Sequence, residues 1–481
     1  MRQINLKAIL KIAGLILIIT SLSFLFCIPV ALVYDENLWP FLLSSLVTMI
    51  PGLMLYFLIR YSIREKVSTR EGYLSVTLAW LTLVLCGTLP YLFSGIITDF
   101  IKALFESASG YTTTGASIIA DVESVPKSIL FWRSLTHWIG GIGIILLVII
   151  VLPTLKIGGY NLFSLESSLK QKILPKTKSI AITFLMIYLA ISAAEFILLL
   201  IGGLGVFEGI CITFGTVATG GFSVRNTSLA DFSPFLQYVV AIFMFLSASS
   251  YFLYFFMIKK EFGKIRENEE FWFYVFFVTA SVVFVTLTLY IGTGRDFSTS
   301  LRHSFFQVIA QITTTGFATT DYMAWPAIGW FFMFLLLFTG GSTGSSTGGI
   351  KMARHLIALK NMKFVFRRLQ HPNAIFPIKL NNRIVPENIN IMMLLFIIIF
   401  LIVFLAGALL MMISGMPVIE AVAASVSAMS NVGPGLGAAG NMGNYTSFND
   451  FSLVIMSFLM LIGRLEVFTI LALFTRSFWK N

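Results

Sequence analysis

Four short stretches hold residues whose types and spacing suit one kind of chemistry: Thr-Thr-Thr-Gly-Ala at 112–116, Val-Ala-Thr-Gly-Gly at 217–221, Thr-Thr-Thr-Gly-Phe at 313–317 and Ser-Asn-Val-Gly-Pro at 430–434. Glycine permits backbone angles that turn carbonyl groups toward an axis. Threonine favours extended geometry and adds a hydroxyl. Extended strands gathered about an axis offer rings of oxygen that replace the water around a cation. One such stretch is an ordinary turn; four in equivalent places need another explanation. The candidate ion-binding residues are Thr113, Thr114 and Gly115, then Ala218, Thr219 and Gly220, then Thr314, Thr315 and Gly316, and finally Asn431, Val432 and Gly433.

The surrounding pattern shows what must position them. Each stretch follows a moderately apolar segment too short to span a bilayer: Ile101–Ser109, Phe207–Thr216, Leu301–Ile312 and Val418–Met429. Each lies between two full apolar spans. The unit is helix, half-helix, extended loop, helix, and its expected key glycines, Gly115, Gly220, Gly316 and Gly433, are 105, 96 and 117 residues apart. Two spans per unit return the chain to the side where it began, so all four copies share one orientation. Copies of that kind are related by an axis along the membrane normal, whereas inverted repeats alternate. Non-helical backbone at membrane depth must be covered by protein or line a polar cavity. The short helices aim their partly negative C-terminal ends inward, which favours a cation further.

Composition supports a polytopic membrane protein. Of 481 residues, 57% are hydrophobic and 11% charged, against about 25% charged in soluble domains. Apolar spans are expected at 9–33, 38–59, 72–95, 129–153, 183–203, 235–258, 270–291, 326–358 (interrupted), 388–414 and 451–474, which is ten crossings. The first is too long for a signal-peptide core and is expected to be retained. With the N-terminus inside, the inner segments hold 26 of the 33 Lys and Arg. That bias places both termini in the cytoplasm and explains the net charge of +11 without nucleic acid. The outer segments hold twelve acids, among them Glu106, Asp121, Glu208 and Glu420, against six bases, including Arg133 and Arg225. A negative outer face raises the local concentration of cations.

The eighth span breaks into Thr-Gly-Gly-Ser-Thr-Gly-Ser-Ser-Thr-Gly-Gly at 339–349, a composition no helix survives. The apolar part before it covers about 20 Å, so the segment falls near mid-membrane, under the third loop. It is expected to act as a gate, built on Gly340, Gly341, Gly344, Gly348 and Gly349, with Lys351 following and Arg464 in the last span placed to face the pore and repel cations below the loops or to bond the segment's carbonyls. Its likeness to a phosphate loop is superficial, because Lys351 comes one residue late and no soluble strand precedes it. Trp138, Gly140, Gly141 and Gly143 allow close packing behind the first loop.

Enzyme chemistry finds no support. His137, His303, His355 and His371 show no metal spacing, and Cys27, Cys86 and Cys211 sit in apolar surroundings with no framework spacing. Glu195, inside the fifth span, is expected to bond a neighbouring helix; its other reading is a proton or ion site.

The four loops, Phe-Trp-Arg-Ser-Leu-Thr-His-Trp-Ile-Gly-Gly-Ile-Gly-Ile at 131–144, the glycine-rich run through Arg354 and Gly-Arg-Leu-Glu-Val-Phe-Thr at 463–469 together resemble the TrkH/KtrB-type potassium transporter subunits of the superfamily of K⁺ transporters. The extra two-span hairpin before the first unit makes the chain more like TrkH than KtrB. The resemblance implies an all-α membrane fold of ten transmembrane spans with four re-entrant loops in pseudo-fourfold arrangement around one pore. It implies a division into a hairpin at 1–66 and pore repeats at 67–155, 156–262, 263–384 and 385–481. It further implies K⁺ uptake across a bacterial inner membrane, a homodimer, and a cytoplasmic TrkA-like nucleotide-binding regulatory partner. The basic segments 156–178 and 351–383 are its expected dock. In this superfamily a glycine in all four loops goes with K⁺ preference, and Ser in the first marks sodium carriers. Asn431 and Pro434 depart from fourfold symmetry, so fewer well-formed ion sites are expected than in a symmetric channel. A proton- or sodium-coupled K⁺ symporter on the same fold is the alternative.

Overall fold

A computed structural model describes residues 5–58, 68–150, 174–371 and 377–480. Apart from single-turn 3₁₀ segments, the described elements are α-helices and one small hairpin, Lys379–Leu380 paired antiparallel with Arg383–Ile384. No alternating pattern announces that hairpin in the sequence. Its turn is Asn381–Asn382, both at positive φ (50° and 60°), the chemistry of a tight two-residue connection.

Among the described residues, six helices are long and apolar enough to cross a membrane: Ile9–Val33, Trp39–Leu58, Arg70–Ser94, Ser179–Ile201, Glu269–Thr293 and Glu387–Ile413. Their starts follow capping rules. The Ser68 hydroxyl accepts from Glu71 N while the Glu71 carboxylate accepts from Ser68 N at 2.7 Å, a reciprocal box. Asn268 accepts from Phe271 N at 2.8 Å. Lys127–Ile150 adds a helix of 24 residues.

Two spans expected to be continuous are broken. Pro234–Ser247 meets Tyr251–Ile258 at 87°, and Asp450–Arg464 meets Val467–Phe474 at 110°. The first break falls at Ser247-Ala248-Ser249-Ser250, where the Ser249 hydroxyl turns back to the Phe245 carbonyl at 3.1 Å; such local bonds compete with the helix. The freed Ala248 carbonyl accepts from Ser342 N at 2.9 Å, so the break receives the glycine-rich segment. At the second break Glu466 takes φ 59°, and Arg464 ends its helix rather than lying within a span. The eighth span stops at Leu336 and resumes at Met352. The expected boundaries at 66/67 and 155/156, and residues 156–173 of the expected basic dock, lie outside the described residues.

The N-terminal pair, Leu6–Leu25 and Trp39–Leu58, crosses on glycine. A Cβ added to Gly52 would lie 3.0 Å from Leu17 Cβ and 3.1 Å from the Gly14 carbonyl oxygen. Ser21 donates to the Ser45 carbonyl nearby at 2.9 Å. Small residues give transmembrane helices such close contact. Gly52→Leu is therefore expected to force the pair apart at a cost of about 1–3 kcal/mol. A lower unfolding midpoint of the detergent-solubilised protein would register it; an unchanged midpoint would mean that this crossing is not tight.

Candidate functional site

Four short helices precede the four stretches: Phe100–Tyr111, Val206–Val217, Phe297–Ile312 and Val418–Ser430, of 12, 12, 16 and 13 residues. At 1.5 Å per residue they reach about 18–24 Å, short of a bilayer core. Asp99 caps the first through Lys102 N at 2.9 Å, and Asp296 caps the third through Ser298 N at 3.0 Å.

All four end in the same way. Thr113, Thr219, Thr314 and Asn431 take φ of 52°, 56°, 55° and 56°, the left-handed conformation that closes many helices. The next residue donates its N–H five positions back: Thr114 to Ser109 O, Gly220 to Gly215 O, Thr315 to Ala310 O and Val432 to Ser427 O, at 2.7–3.1 Å. Then comes a second positive φ, at Gly115 (82°), Gly221 (80°), Gly316 (77°) and Gly433 (95°). This repeat of angles and bonds corrects the register of the second loop. The residue equivalent to Gly115 is Gly221, and Gly220 is equivalent to Thr114. The double glycine at 220–221 hid the shift, because sequence spacing alone does not choose between two adjacent glycines.

The four loops meet in a closed ring. A Cβ built on Gly115 would lie 2.1 Å from the carbonyl oxygen of Gly220; on Gly221, 1.9 Å from that of Thr315; on Gly316, 2.0 Å from that of Val432; on Gly433, 2.4 Å from that of Thr114. Each loop's glycine thus abuts the next loop's carbonyl, and the fourth returns to the first. Positive φ and this contact together leave no room for a side chain. Above the ring lies a cavity of about 120 Å³ lined by Gly115, Gly221, Gly316, Gly433, Pro434 and Asn441, among others.

Buried polar groups brace the ring from behind. Arg133, on the helix after the first loop, pairs with Glu106 of the first short helix at 2.7 Å, the two side chains 2% and 0% exposed. Glu106 also accepts from Ile118 N at 2.8 Å. Arg133 donates onward to Ser223 O at 3.2 Å and lies over the Phe222 ring at 3.9 Å, tying the first loop to the second. Removing one partner of such a buried pair costs about 3–5 kcal/mol. Sequence reasoning placed both residues among outer loop charges; the signal it passed over was an arginine inside an aromatic, apolar run. The His137 ring stacks on Phe222 at 4.1 Å and fills the space beside Gly220, where a Cβ would come within 2.0 Å of its Nδ1. In the fourth loop Asn431 donates to Thr114 Oγ1 at 3.1 Å and to Met460 O at 2.9 Å, so the residue that breaks the symmetry closes the join to the first loop.

The glycine-rich segment lies against three of the four loops. Ser346 donates to Val217 O at 3.3 Å, and Gly348 N donates to Thr314 Oγ1 at 2.9 Å. A Cβ on Gly348 would fall 2.2 Å from the Ser430 carbonyl oxygen. The neck of the segment is closed by pairing of Thr339 with Ile350 and by Gly340 N to Ile350 O at 3.0 Å. Gly340 and Gly349 pack across this neck, Gly341 N is held by Thr347 Oγ1 at 3.1 Å, and Gly344 turns the tip at φ 79°. Lys351 folds back onto the Thr347 carbonyl and hydroxyl. Arg464, 2% exposed, donates to Ser346 O at 2.5 Å and to Gly140 O at 3.0 Å, joining the segment to the helix behind the first loop. Glu466 is taken by Arg354 at 2.9 Å. Of the small residues behind the first loop, Gly140 abuts the Tyr111 carbonyl and Gly141 abuts Tyr188, whereas Gly143 leaves ordinary contact distance to the Trp80 ring; Trp138 donates to Ser192 Oγ at 3.2 Å.

Glu195 is fully buried and lies beside the Thr216 side chain of the neighbouring short helix Val206–Val217. The cysteines are free, and no cluster of three His, Cys, Asp or Glu able to hold a metal occurs among the described residues.

Comparison with known proteins places this architecture. The family model TrkH, described as cation transport protein, matches residues 40–480. The Trk system potassium uptake protein TrkH of Salmonella typhimurium (strain LT2) is 36% identical over 493 residues, covering 99% of this chain and all of that protein. The Trk system potassium uptake protein TrkG of Escherichia coli (strain K12) is 30% identical, with all of both chains covered. The crystal structure of the potassium transporter TrkH from Vibrio parahaemolyticus superposes with a TM-score of 0.91 at 30% identity, covering 99% of this chain and all of that one. The chain belongs to the TrkH family of cation transport proteins.

Proposed function

We propose that this chain is the membrane subunit of a Trk-type system and carries K⁺ inward across a bacterial inner membrane, through a selective pore along the axis of the four-loop ring. The observation that carries the reading is the cyclic contact of Gly115, Gly221, Gly316 and Gly433 with the carbonyls of the neighbouring loops. It gathers the oxygens of Thr114, Gly220, Thr315 and Val432 at one level, the arrangement that substitutes for a cation's water. The relatives named as potassium uptake proteins supply the ion. The glycine-rich segment is the gate, held shut beneath the ring by Arg464.

The wider arrangement follows from the same reading. Six straight spans, two bent pairs, Lys127–Ile150 and the interrupted pair Ala327–Leu336 and Met352–Gln370 make ten crossings, arranged as the hairpin 1–66 and four pseudo-fourfold repeats. The inner-side excess of Lys and Arg supports cytoplasmic termini. The relatives are named as parts of a Trk system, which supports a complex with regulatory subunits; the homodimer and the TrkA-like nucleotide-binding regulator are what the family resemblance adds to the proposal. A second reading, a proton- or sodium-coupled symporter, draws on the fully buried carboxylate of Glu195, which is in no ion pair among the described residues, since an ionisable group inside a membrane is commonly functional.

In proteoliposomes, ⁸⁶Rb⁺ or K⁺ uptake driven by membrane potential alone, without a pH or Na⁺ gradient, is the expected result. Uptake that appears only with such a gradient would favour the symporter, and absence of cation flux would overturn both readings. The ring contacts predict a contrast at the double glycine. Gly220→Ala meets a side chain, so shrinking it with His137→Ala is expected to restore most of the lost transport. Gly221→Ala meets a backbone carbonyl at positive φ, so the same second change should not rescue it, and the K⁺ over Na⁺ preference should fall about tenfold, or about 1.4 kcal/mol. Equal rescue at both positions would show the assigned register to be wrong. Arg464→Ala is expected to raise basal Rb⁺ flux; unchanged flux would remove Arg464 from the gate.

A further inference from the structure

Glu270 opens the helix Glu269–Thr293 and is 2% exposed. Its carboxylate forms no ion pair among the described residues. Instead a single oxygen accepts two backbone bonds, from Thr343 N at 2.6 Å and from Ala353 N at 3.1 Å. Thr343 lies inside the glycine-rich segment. Ala353 lies just past it, in the first turn of Met352–Gln370, where backbone N–H groups have no partner within the helix. One buried carboxylate thus ties the middle of the segment to the start of the helix that follows it. Other N–H groups of the segment, those of Gly340, Ser342 and Gly348, bond neutral groups at Ile350, Ala248 and Thr314. Hydrogen bonds to an ionised acceptor are roughly twice as strong as neutral ones.

The preceding residue faces the other way. Glu269 N donates to Asn381 Oδ1 at 2.8 Å, at the turn of the small hairpin. The Glu269 carboxylate accepts from Lys360 Nζ, which also donates to Lys379 O at 2.7 Å. Two successive residues therefore hold, respectively, the hairpin and the segment beneath the ring. Leu380 and Val385 of the hairpin pack with Ala353, Ile357 and Ile389, so the hairpin is also seated against the start of the helix that leaves the segment.

We propose that Glu270 is the positioning residue that keeps the glycine-rich segment closed under the ring, and that the hairpin 377–385 sets its position through Glu269. The inference rests on the gate reading of that segment. It makes the hairpin a mechanical handle on the gate: a shift of the hairpin moves the first turn of Glu269–Thr293, and with it the only charged acceptor holding the segment among the described residues.

The test uses the full-length chain in proteoliposomes, without any regulator. Glu270→Gln keeps the shape and one acceptor oxygen but removes the charge. It is expected to raise basal ⁸⁶Rb⁺ uptake about tenfold while the protein still elutes as a single folded species. The substitution Ser342→Cys, at a hydroxyl buried without a hydrogen-bond partner among the described residues, reports the segment itself. Its labelling by a small methanethiosulfonate is expected to quicken in the Glu270→Gln background. If Glu270→Gln does not fold, Ala353→Pro deletes one of the two donors at a first-turn position, where proline is tolerated, and carries the same expectation. Asn381→Gly, which keeps the positive φ and removes only the acceptor, should raise uptake by a smaller factor; no change in uptake or labelling removes the hairpin from the proposal. Unchanged uptake and labelling with Glu270→Gln, alongside raised uptake with Arg464→Ala, would overturn the clamp and leave the gate reading standing. If neither substitution raises uptake, the gate reading falls and the clamp with it.

Discussion

Backbone carbonyls and N–H groups have no water to bond in the hydrocarbon core, and each one left unpaired costs several kcal/mol. Every unusual feature of this chain answers that constraint. The extended loops are admissible because they close on one another: the glycine of each fits against the carbonyl of the next. Their N–H groups are spent on the short helices behind them, through the same five-residue return in all four copies. In the proposed pore, the carbonyls that remain face the shared axis, where only an ion or water can satisfy them. The demand for satisfaction and the capacity to replace a hydration shell are thus one property of the same backbone.

The glycine-rich segment meets the same constraint by borrowing partners from breaks elsewhere. Ala248 supplies a carbonyl at one bend, Arg464 ends its helix at another and bonds Ser346, and Glu270 accepts Thr343 and Ala353. The bends near 248 and 465 are therefore the other halves of these contacts. A continuous helix at either place would have consumed the groups that hold the segment. The fully buried Glu106–Arg133 pair does similar work on the outer side, joining the first loop to the second.

Much of this was legible in the sequence because it depends on local chemistry. Thr-Gly runs after short apolar helices announced the loops, and the run 339–349 announced the interruption. What escaped depends on contacts distant along the chain. The register of Gly220 and Gly221 is fixed by the carbonyl of Thr315 in another loop. The partner of Glu106 lies 27 residues away and its bond to the second loop 90 residues beyond. The bends in the sixth and tenth spans are invisible to hydropathy, since residues on both sides stay apolar.

Because a single polypeptide supplies all four quarters, one codon alters one quarter. A tetramer of identical subunits changes all four corners with each mutation, so its ring passes only through symmetric intermediates. Here the position held by threonine in three loops is already asparagine in the fourth, where Asn431 bonds Thr114. Evolution can therefore adjust the oxygen ring in steps a quarter as large, trading geometric regularity for finer increments in how tightly an ion is held.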